Sequence, residues 1–358
     1  MGATYKNNLE LTIFGESHGK AIGITIGNLP SGIQIDLDEV ARDMKRRAPG
    51  QNKMSTARKE ADQVEILSGL QDGITTGAPL TGVIYNSDQH SKDYSLLKTN
   101  MRPGHSDYPA YIKYKGFNDV RGGGHFSGRI TAPIVFAGSV AKQILKQKGI
   151  VIGAHIQSIK DVYDDSFGVD ISSQDIENML QQQYPTLNSH VFEKMQATIE
   201  EARINCDSVG GMIECAILNV PAGIGNPFFD SIESHLSPLL FSIPAVKSVS
   251  FGLGEKITEL YGHEANDCYY YDDEKVKTKT NHNGGITGGI SNGMPIIFRV
   301  GIKPTPSISQ VQQTVNIKTK ENTELEIIGR HDPCIVPRAV VVVESMAALG
   351  ILDMMKDI

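Results

Sequence analysis

The segment from Ile130 to Lys148 constrains the fold more than any other stretch of this chain. Ile130, Ile134, Val135, Ala137, Val140, Ala141, Ile144 and Leu145 recur at helical spacing and cover a broad face. Lys142, Lys146 and Lys148 load the last turns, and Gly149 follows as a stop. So much apolar surface implies a buried helix, and the 358 residues are enough to build a large core around it.

Other helical patterns fall at about 36–48, 172–183, 192–206, 228–241 and 338–356. Between them lie short alternating or β-branched segments: Ile22–Ile26, Gly211–Leu218, Val246–Phe251 and Pro295–Ile302. The order is not a regular βαβα alternation, so the expected class is α+β with antiparallel sheets. The chain has no repeat of 20 to 50 residues, no low-complexity run and no Ser/Pro-rich linker, which excludes solenoids and tethered modules.

A net charge of −7 argues against general attraction to nucleic acid. Locally the balance reverses: Arg42, Lys45, Arg46, Arg47, Lys53, Arg58 and Lys59 stand against Asp43 alone. The first of these complement a helix C-terminus, but Ala48-Pro49-Gly50 ends that helix and the rest lie beyond it. A basic loop in an acidic chain points to a small polyanionic ligand. Cys206, Cys215, Cys268 and Cys334 are scattered without a CxxC pair, so neither a zinc site nor a disulfide framework is expected, and no metal. The N-terminal sequence lacks a signal peptide, and no apolar run reaches the ~18 residues that cross a bilayer. The expected location is the cytoplasm, with no membrane partner.

Three polar clusters carry chemistry. Gly122-Gly123-Gly124, with His125, Phe126, Ser127 and Arg129, leads into the helix at 130, where backbone N–H groups favour an anion and glycine permits close approach. A flexible loop with Ser127 as N-cap is the plainer reading. Neither Walker A nor GxGxxG spacing is present. In the second cluster the Pro103-Gly104 turn holds Arg102 and His105 three positions apart. The third packs Arg330, His331 and Asp332 before Pro333, where a local Arg–Asp pair could simply close a turn. A fourth string, Gly15-Glu-Ser-His-Gly19, fits the G-x-S-x-G pattern of a serine hydrolase with Ser17 as nucleophile. The glycine-broken stretch after Gly19 reads as a second strand and not as the helix an elbow needs. In an extended stretch His18 would point away from Ser17.

The segments FGESHGKAIGITIGNLPSG, MKRRAPG, RPGHSDY, RGGGHFSGRITA, NHNGGITGGISNGMPI, IKPTPSI and GRHDPCIVPRAV occur in an order and spacing that resemble the chorismate synthase family, from about Leu11 to Met355. The resemblance implies one domain over 1–358, with helices sandwiched between antiparallel β-sheets, assembled as a homotetramer. It also implies a lyase of the shikimate pathway of aromatic amino acid biosynthesis, removing phosphate from 5-enolpyruvylshikimate 3-phosphate by 1,4-anti elimination to give chorismate. The family is a flavoprotein family that needs reduced FMN, with NADPH as an indirect reductant. An external flavin reductase is the expected redox partner.

By that resemblance Ser17, Arg47, Arg58, Arg102 and Arg129 contact the substrate, whose phosphate and two carboxylates call for bidentate cations. FMN is held by His125, Phe126, Ser127, Gly288, the loop Lys303-Pro304-Thr305-Pro306-Ser307 and Arg330, and NADP contacts match Arg47 and Lys53. His18 supplies a proton to the leaving phosphate, His105 fixes the protonation state of the flavin, and Asp332 assists removal of the ring proton. Many relatives have Arg-Ser-Ser where this chain has His125-Phe126-Ser127, Arg in place of Lys53, and Ser in place of Pro306. These changes bear on flavin contacts and leave His18, His105, Arg330 and Asp332 in place. The rival readings are a serine hydrolase using Ser17 and a non-enzymatic binder of phosphorylated metabolites.

Overall fold

Alternation of glycine and β-branched residues from Ala21 to Gly27 builds the centre of the first sheet. In the computed structural model, which describes residues 2–50, 62–86, 96–327 and 332–355, β3 (Ala21–Gly27) lies between β2 (Glu10–Gly15) and β7 (Leu80–Tyr85). β1 (Thr4–Lys6) and β4 (Glu65–Ser68) close the two edges, every pairing is antiparallel, and β5 (Leu70–Gln71) and β6 (Ile74–Thr75) form a separate ribbon. Gly82 has a packing reason: a Cβ there would run into the ring of the fully buried Phe136.

The chain divides into two compact units, one formed by residues 1–136, 196–210 and 304–338, the other by 137–195, 211–303 and 339–358. The first holds this sheet and α1 (Leu37–Arg47). Asp36 caps α1 by accepting from the N–H groups of Asp38 (2.8 Å) and Glu39 (3.2 Å). Asp38 and Glu39 occupy its first turn and Lys45, Arg46 and Arg47 its last, in keeping with the dipole. The same unit contains α2 (Asp107–Lys113), and the ribbon of β17 (Gln312–Asn316) with β18 (Glu321–Leu325). Neither α2 nor that ribbon has a strong periodic signal in the sequence.

In the second unit β11 (Val246–Phe251), β16 (Ile296–Ile302), β10 (Gly211–Leu218), β8 (Val151–Ile159) and β9 (Val162–Tyr163) form an antiparallel sheet in that order. From Ile152 to Ile159 every residue of β8 is buried, so both faces of the strand are covered. α4 (Ser173–Leu180) opens with a Ser172–Asp175 capping box and packs Ile176 and Met179 on Ala216, Leu218 and Ile297. α6 (Ile232–Phe241) begins at its Ser231 cap, later than the pattern from 228 predicts, because residues 228–230 form a short 3-10 turn. Smaller pieces are α7 (Gly262–Ala265), the ribbon of β12 (Tyr269–Asp272) with β13 (Lys275–Thr278), and that of β14 (Ile286–Thr287) with β15 (Ile290–Ser291).

The helix expected at 130–148 is α3 (Thr131–Gln147), and the C-terminal pattern is α8 (Val336–Met354). A Cβ on Gly138 would collide with Ser345, so glycine is what lets α3 and α8 approach there. With α5 (Ser189–Ile204), each of these helices contains one of the points where the chain passes from one unit to the other. Helices and antiparallel sheets together make the α+β class expected from the sequence.

Candidate active site

β2 ends at Gly15, whose φ of +97° turns the chain out of the strand. Residues 16–20 then form the turn of the β2–β3 hairpin, with Ser17 and His18 each 3 % exposed. The two side chains do not diverge as an extended segment would make them: Ser17 Oγ lies 3.2 Å from His18 Nδ1. Extended geometry was the wrong premise, because the strand is already broken at Gly15. The hairpin leads directly into a second strand, so no nucleophile elbow exists around Ser17. Asn86 staples the turn by donating to the carbonyls of Glu16 (3.1 Å) and Gly19 (2.8 Å).

Against this turn lies the triple glycine. Gly122, Gly123 and Gly124 all have positive φ, at 57°, 85° and 55°. A Cβ on Gly122 would strike the His18 ring and stand 2.7 Å from Ser17 Oγ, and one on Gly123 would stand 3.4 Å from His105 Nε2. Consecutive glycines thus pack on the two histidines, one each. Two hydrogen bonds fix the loop to the hairpin: Ser17 N donates to the Gly124 carbonyl at 3.1 Å, and His125 Nδ1 lies 2.8 Å from the Gly15 carbonyl. The loop is a wall against which His18 and His105 pack. Ser127 does serve as a cap, accepting from Arg129 N at 3.3 Å for the short 3-10 turn that precedes α3.

His105 follows the Pro103-Gly104 turn and α2 begins two residues later. Arg102 and Asp107 are 7 % and 5 % exposed and bind as a fork, Nε to Oδ2 at 2.6 Å and Nη2 to Oδ1 at 2.8 Å. The Arg102 backbone N–H adds a contact to Oδ2 at 3.2 Å, and Nη1 reaches Ser307 Oγ at 3.3 Å. His105 Nδ1 stands 2.7 Å from Asp107 Oδ1. Burial pushes the Asp107 carboxyl up, but hydrogen bonds from Arg102 and His105 outweigh it and hold the group well below the usual carboxylate range.

A second carboxylate, Asp62, gathers two arginines. Its Oδ2 pairs with Arg47 Nη1 at 2.6 Å and its Oδ1 with Arg129 Nη1, in side chains that are almost fully buried. Burial raises the Asp62 carboxyl, yet the Coulombic pull of Arg47 and Arg129 prevails and keeps it low. Arg47 also donates to Thr131 Oγ1 (3.2 Å) and the Gly128 carbonyl (3.1 Å), and burial pulls its guanidinium below the ordinary value against the attraction of Asp62. Arg129 Nε donates to Asn86 Oδ1 at 3.2 Å, which ties this cluster to the His18 turn. On its other side Arg338 Nε donates to the Arg47 carbonyl at 3.0 Å, while Arg338 Nη1 pairs with Asp332 Oδ2 at 2.6 Å. Thr305 Oγ1 donates to the Asp332 carbonyl at 3.0 Å.

One network in the first unit therefore joins Asp332, Arg338, Arg47, Asp62, Arg129 and Asn86 to the turn of Ser17 and His18, and the glycine wall adds His105. Phe126 is 39 % exposed with its ring 6.2 Å from that of Tyr114. Gly288 and Lys303 belong to the second unit. Lys53, Arg58 and Arg330 lie outside the described residues. Asp62, Asp107 and Arg338 were missed by sequence reasoning. A signal existed for Asp107, two residues after His105 on the same turn. For Asp62 there was none, since its partners are 15 and 67 residues away.

A buried histidine, His18, and a partly buried one, His105, pack on one glycine loop flanked by arginine–carboxylate pairs, an arrangement suited to an enzyme acting on a small polyanion. The family model described as chorismate synthase matches residues 9–356. Curated relatives bearing that description include one from Pyrococcus abyssi, 47% identical over 348 residues, covering 96% of this chain and 95% of the relative. Another from Methanocaldococcus jannaschii is 44% identical over 362 residues and covers 98% and 96%. A solved structure titled "Crystal Structure of Chorismate Synthase" superposes with a TM-score of 0.75 at 27% identity, covering 97% of this chain and 91% of the other. The chain belongs to the chorismate synthase family. Its activity is that of a carbon–oxygen lyase acting in chorismate formation, within aromatic amino acid biosynthesis.

Proposed function

We propose that the site built on the glycine wall eliminates phosphate from 5-enolpyruvylshikimate 3-phosphate with reduced FMN bound, and that His18, His105 and Asp332 carry the proton movements. The observation that carries this reading is the seating of His18 and His105 on adjacent glycines of one loop. His18, buried with the Ser17 hydroxyl on Nδ1, donates to a phosphate oxygen as the C–O bond breaks, since phosphate leaves readily only when protonated or paired with cations. Arg47 and Arg129, with Arg58, supply the positive field in which a substrate with three anionic groups settles, and Arg102, also expected there from the family resemblance, has its fork on Asp107. Their carboxylate partners fix the guanidinium planes before anything binds. Asp332, held by Arg338, assists removal of the ring proton. His105 acts as an acid beside the flavin.

The residues present fit a flavin mononucleotide. Burial lowers the Lys303 ammonium and neighbouring Lys247 lowers it further, a repulsion that a phosphate would relieve. The partly exposed Phe126 offers a flat apolar surface to a ring. When bound, reduced FMN supplies the electron density that the elimination needs. His125, Phe126, Ser127, Gly288, Arg330 and the loop from Lys303 through Pro304, Thr305 and Pro306 to Ser307 would hold it, with Arg47 and Lys53 as candidates for NADP contacts. A single functional domain, a homotetramer, a cytoplasmic location and an external flavin reductase belong to the same reading and rest on the family resemblance.

The test is anaerobic. Pure protein, substrate and dithionite-reduced FMN should give chorismate and phosphate in equal amounts, and oxidised FMN should give neither. H18A and H105A should each lower turnover on the order of 10²-fold. Unchanged turnover in both variants would remove their assigned roles.

A further inference from the structure

We propose that Asp107 is a positioning residue for His105, and that Arg102 acts on the reaction through Asp107 and not through the substrate. The inference rests on the reading of His105 as the acid beside the flavin and says what sets its proton. Both fork donors of Arg102 are directed at the Asp107 carboxylate, at 2.6 and 2.8 Å, in side chains that are almost wholly buried. The remaining terminal nitrogen faces Ser307 Oγ. A guanidinium so engaged is a clamp, and what it clamps is the carboxylate beside His105 Nδ1.

Geometry then dictates the histidine's state. A fixed negative charge 2.7 Å from Nδ1 favours the proton on that nitrogen and turns Nε2 toward the Gly123 backbone. It also stabilises the imidazolium, so His105 binds a proton more readily than an isolated histidine. Among the described residues, Asp107 on α2 stands at the ring and Arg102, on the segment before the turn, lies behind that carboxylate. The glycine wall contributes backbone, with His18 packed on its neighbouring residue. Asp107 itself is kept ionised by hydrogen bonds from Arg102 and His105, which overcome its burial, so the charge persists across the working pH range.

The experiment follows His105 directly by 15N NMR of histidine-labelled full-length protein, titrated without flavin or substrate. In D107N, His105 should titrate about one pH unit lower than in the wild type and lose its preference for the Nδ1–H form. Turnover should fall on the order of 10-fold with little change in KM, and D107E should recover part of both losses. R102K keeps a cation and removes the fork. It should move the His105 titration and lower kcat, and it decides the matter if D107N does not fold. A His105 titration that is the same in wild type and variants overturns the proposal whatever the activity. A raised KM in R102K with an unmoved titration would return Arg102 to the substrate. If H105A retains full turnover while D107N still shifts the titration, the reading of His105 as an acid fails and the coupling to Asp107 stands.

Discussion

At the scale of single residues the site depends on glycine as much as on histidine. Gly122 has φ +57°, and a Cβ there would meet the His18 ring. Alanine at this position therefore adds backbone strain, about 1 kcal/mol, and displaces the His18 side chain. Gly149 provides the control: its φ is +78° but a Cβ would meet nothing within 4 Å. G149A should carry the strain alone and keep its activity. G122A should lose at least about 10-fold in kcat for a similar loss of stability, since small misplacements of reacting groups are expensive. Equal activities in the two variants would show that Gly122 does not position His18. Asp62 is the other single-residue keystone. D62N leaves two buried arginines facing a neutral amide and should destabilise the fold by about 3–5 kcal/mol in urea titrations. A loss below about 1 kcal/mol would mean that the arginines find other partners.

At the scale of elements, what was legible follows what each element had to write into the sequence. α1 is bracketed by a cap, an acidic first turn and a basic last turn, and the pattern at 36–48 found it within a residue or so of its ends. α3 was equally plain. β8 was invisible because both its faces are covered, so the alternation that marks a half-buried strand never appears. α2 is a seven-residue helix whose first residue is occupied with Arg102 and His105, so neither length nor capping announced it. The site divides in the same way. Its histidines and arginines stood in motifs, Arg338 among them six residues from its partner Asp332, whereas Asp62 pairs with Arg47 and Arg129 across stretches of chain that no local pattern records. The cap of α1 gives an element-scale test. D36A should cost about 1 kcal/mol and leave kcat unchanged, because Arg47 at the opposite end is fixed by Asp62 and Thr131. A fall in kcat would mean that the first turn of α1 sets the position of Arg47.

Across the whole molecule, buried ionic groups set a pH window. Asp62 and Asp107 in the first unit and Asp164 in the second are all held below the unfolded value of 3.8. A depressed carboxyl contributes its full stability above that value and loses it as pH falls toward the folded one. The opposite limb comes from the central sheet of the second unit, where Arg299, Glu214 and His155 stand side by side on β16, β10 and β8. His155 is fully buried, with Asp164 Oδ2 at 3.2 Å and Glu214 Oε2 at 3.0 Å, and Arg299 pairs with Glu214 at 2.6 Å. Burial lowers the imidazole, but hydrogen bonds to Asp164 and Glu214 outweigh it and raise the group above 6.5. A raised histidine contributes fully below 6.5 and loses that stability as pH rises through the folded value. Thermal melting between pH 3 and 9 should therefore show a plateau from roughly pH 4.5 to 6.5, falling on both sides. H155Q should melt lower on the plateau, by about 3 kcal/mol, since it leaves the two carboxylates short of a cation. Its alkaline limb should be flat where the wild type declines. An H155Q limb as steep as the wild type would assign the alkaline loss to other groups and remove His155 from this role.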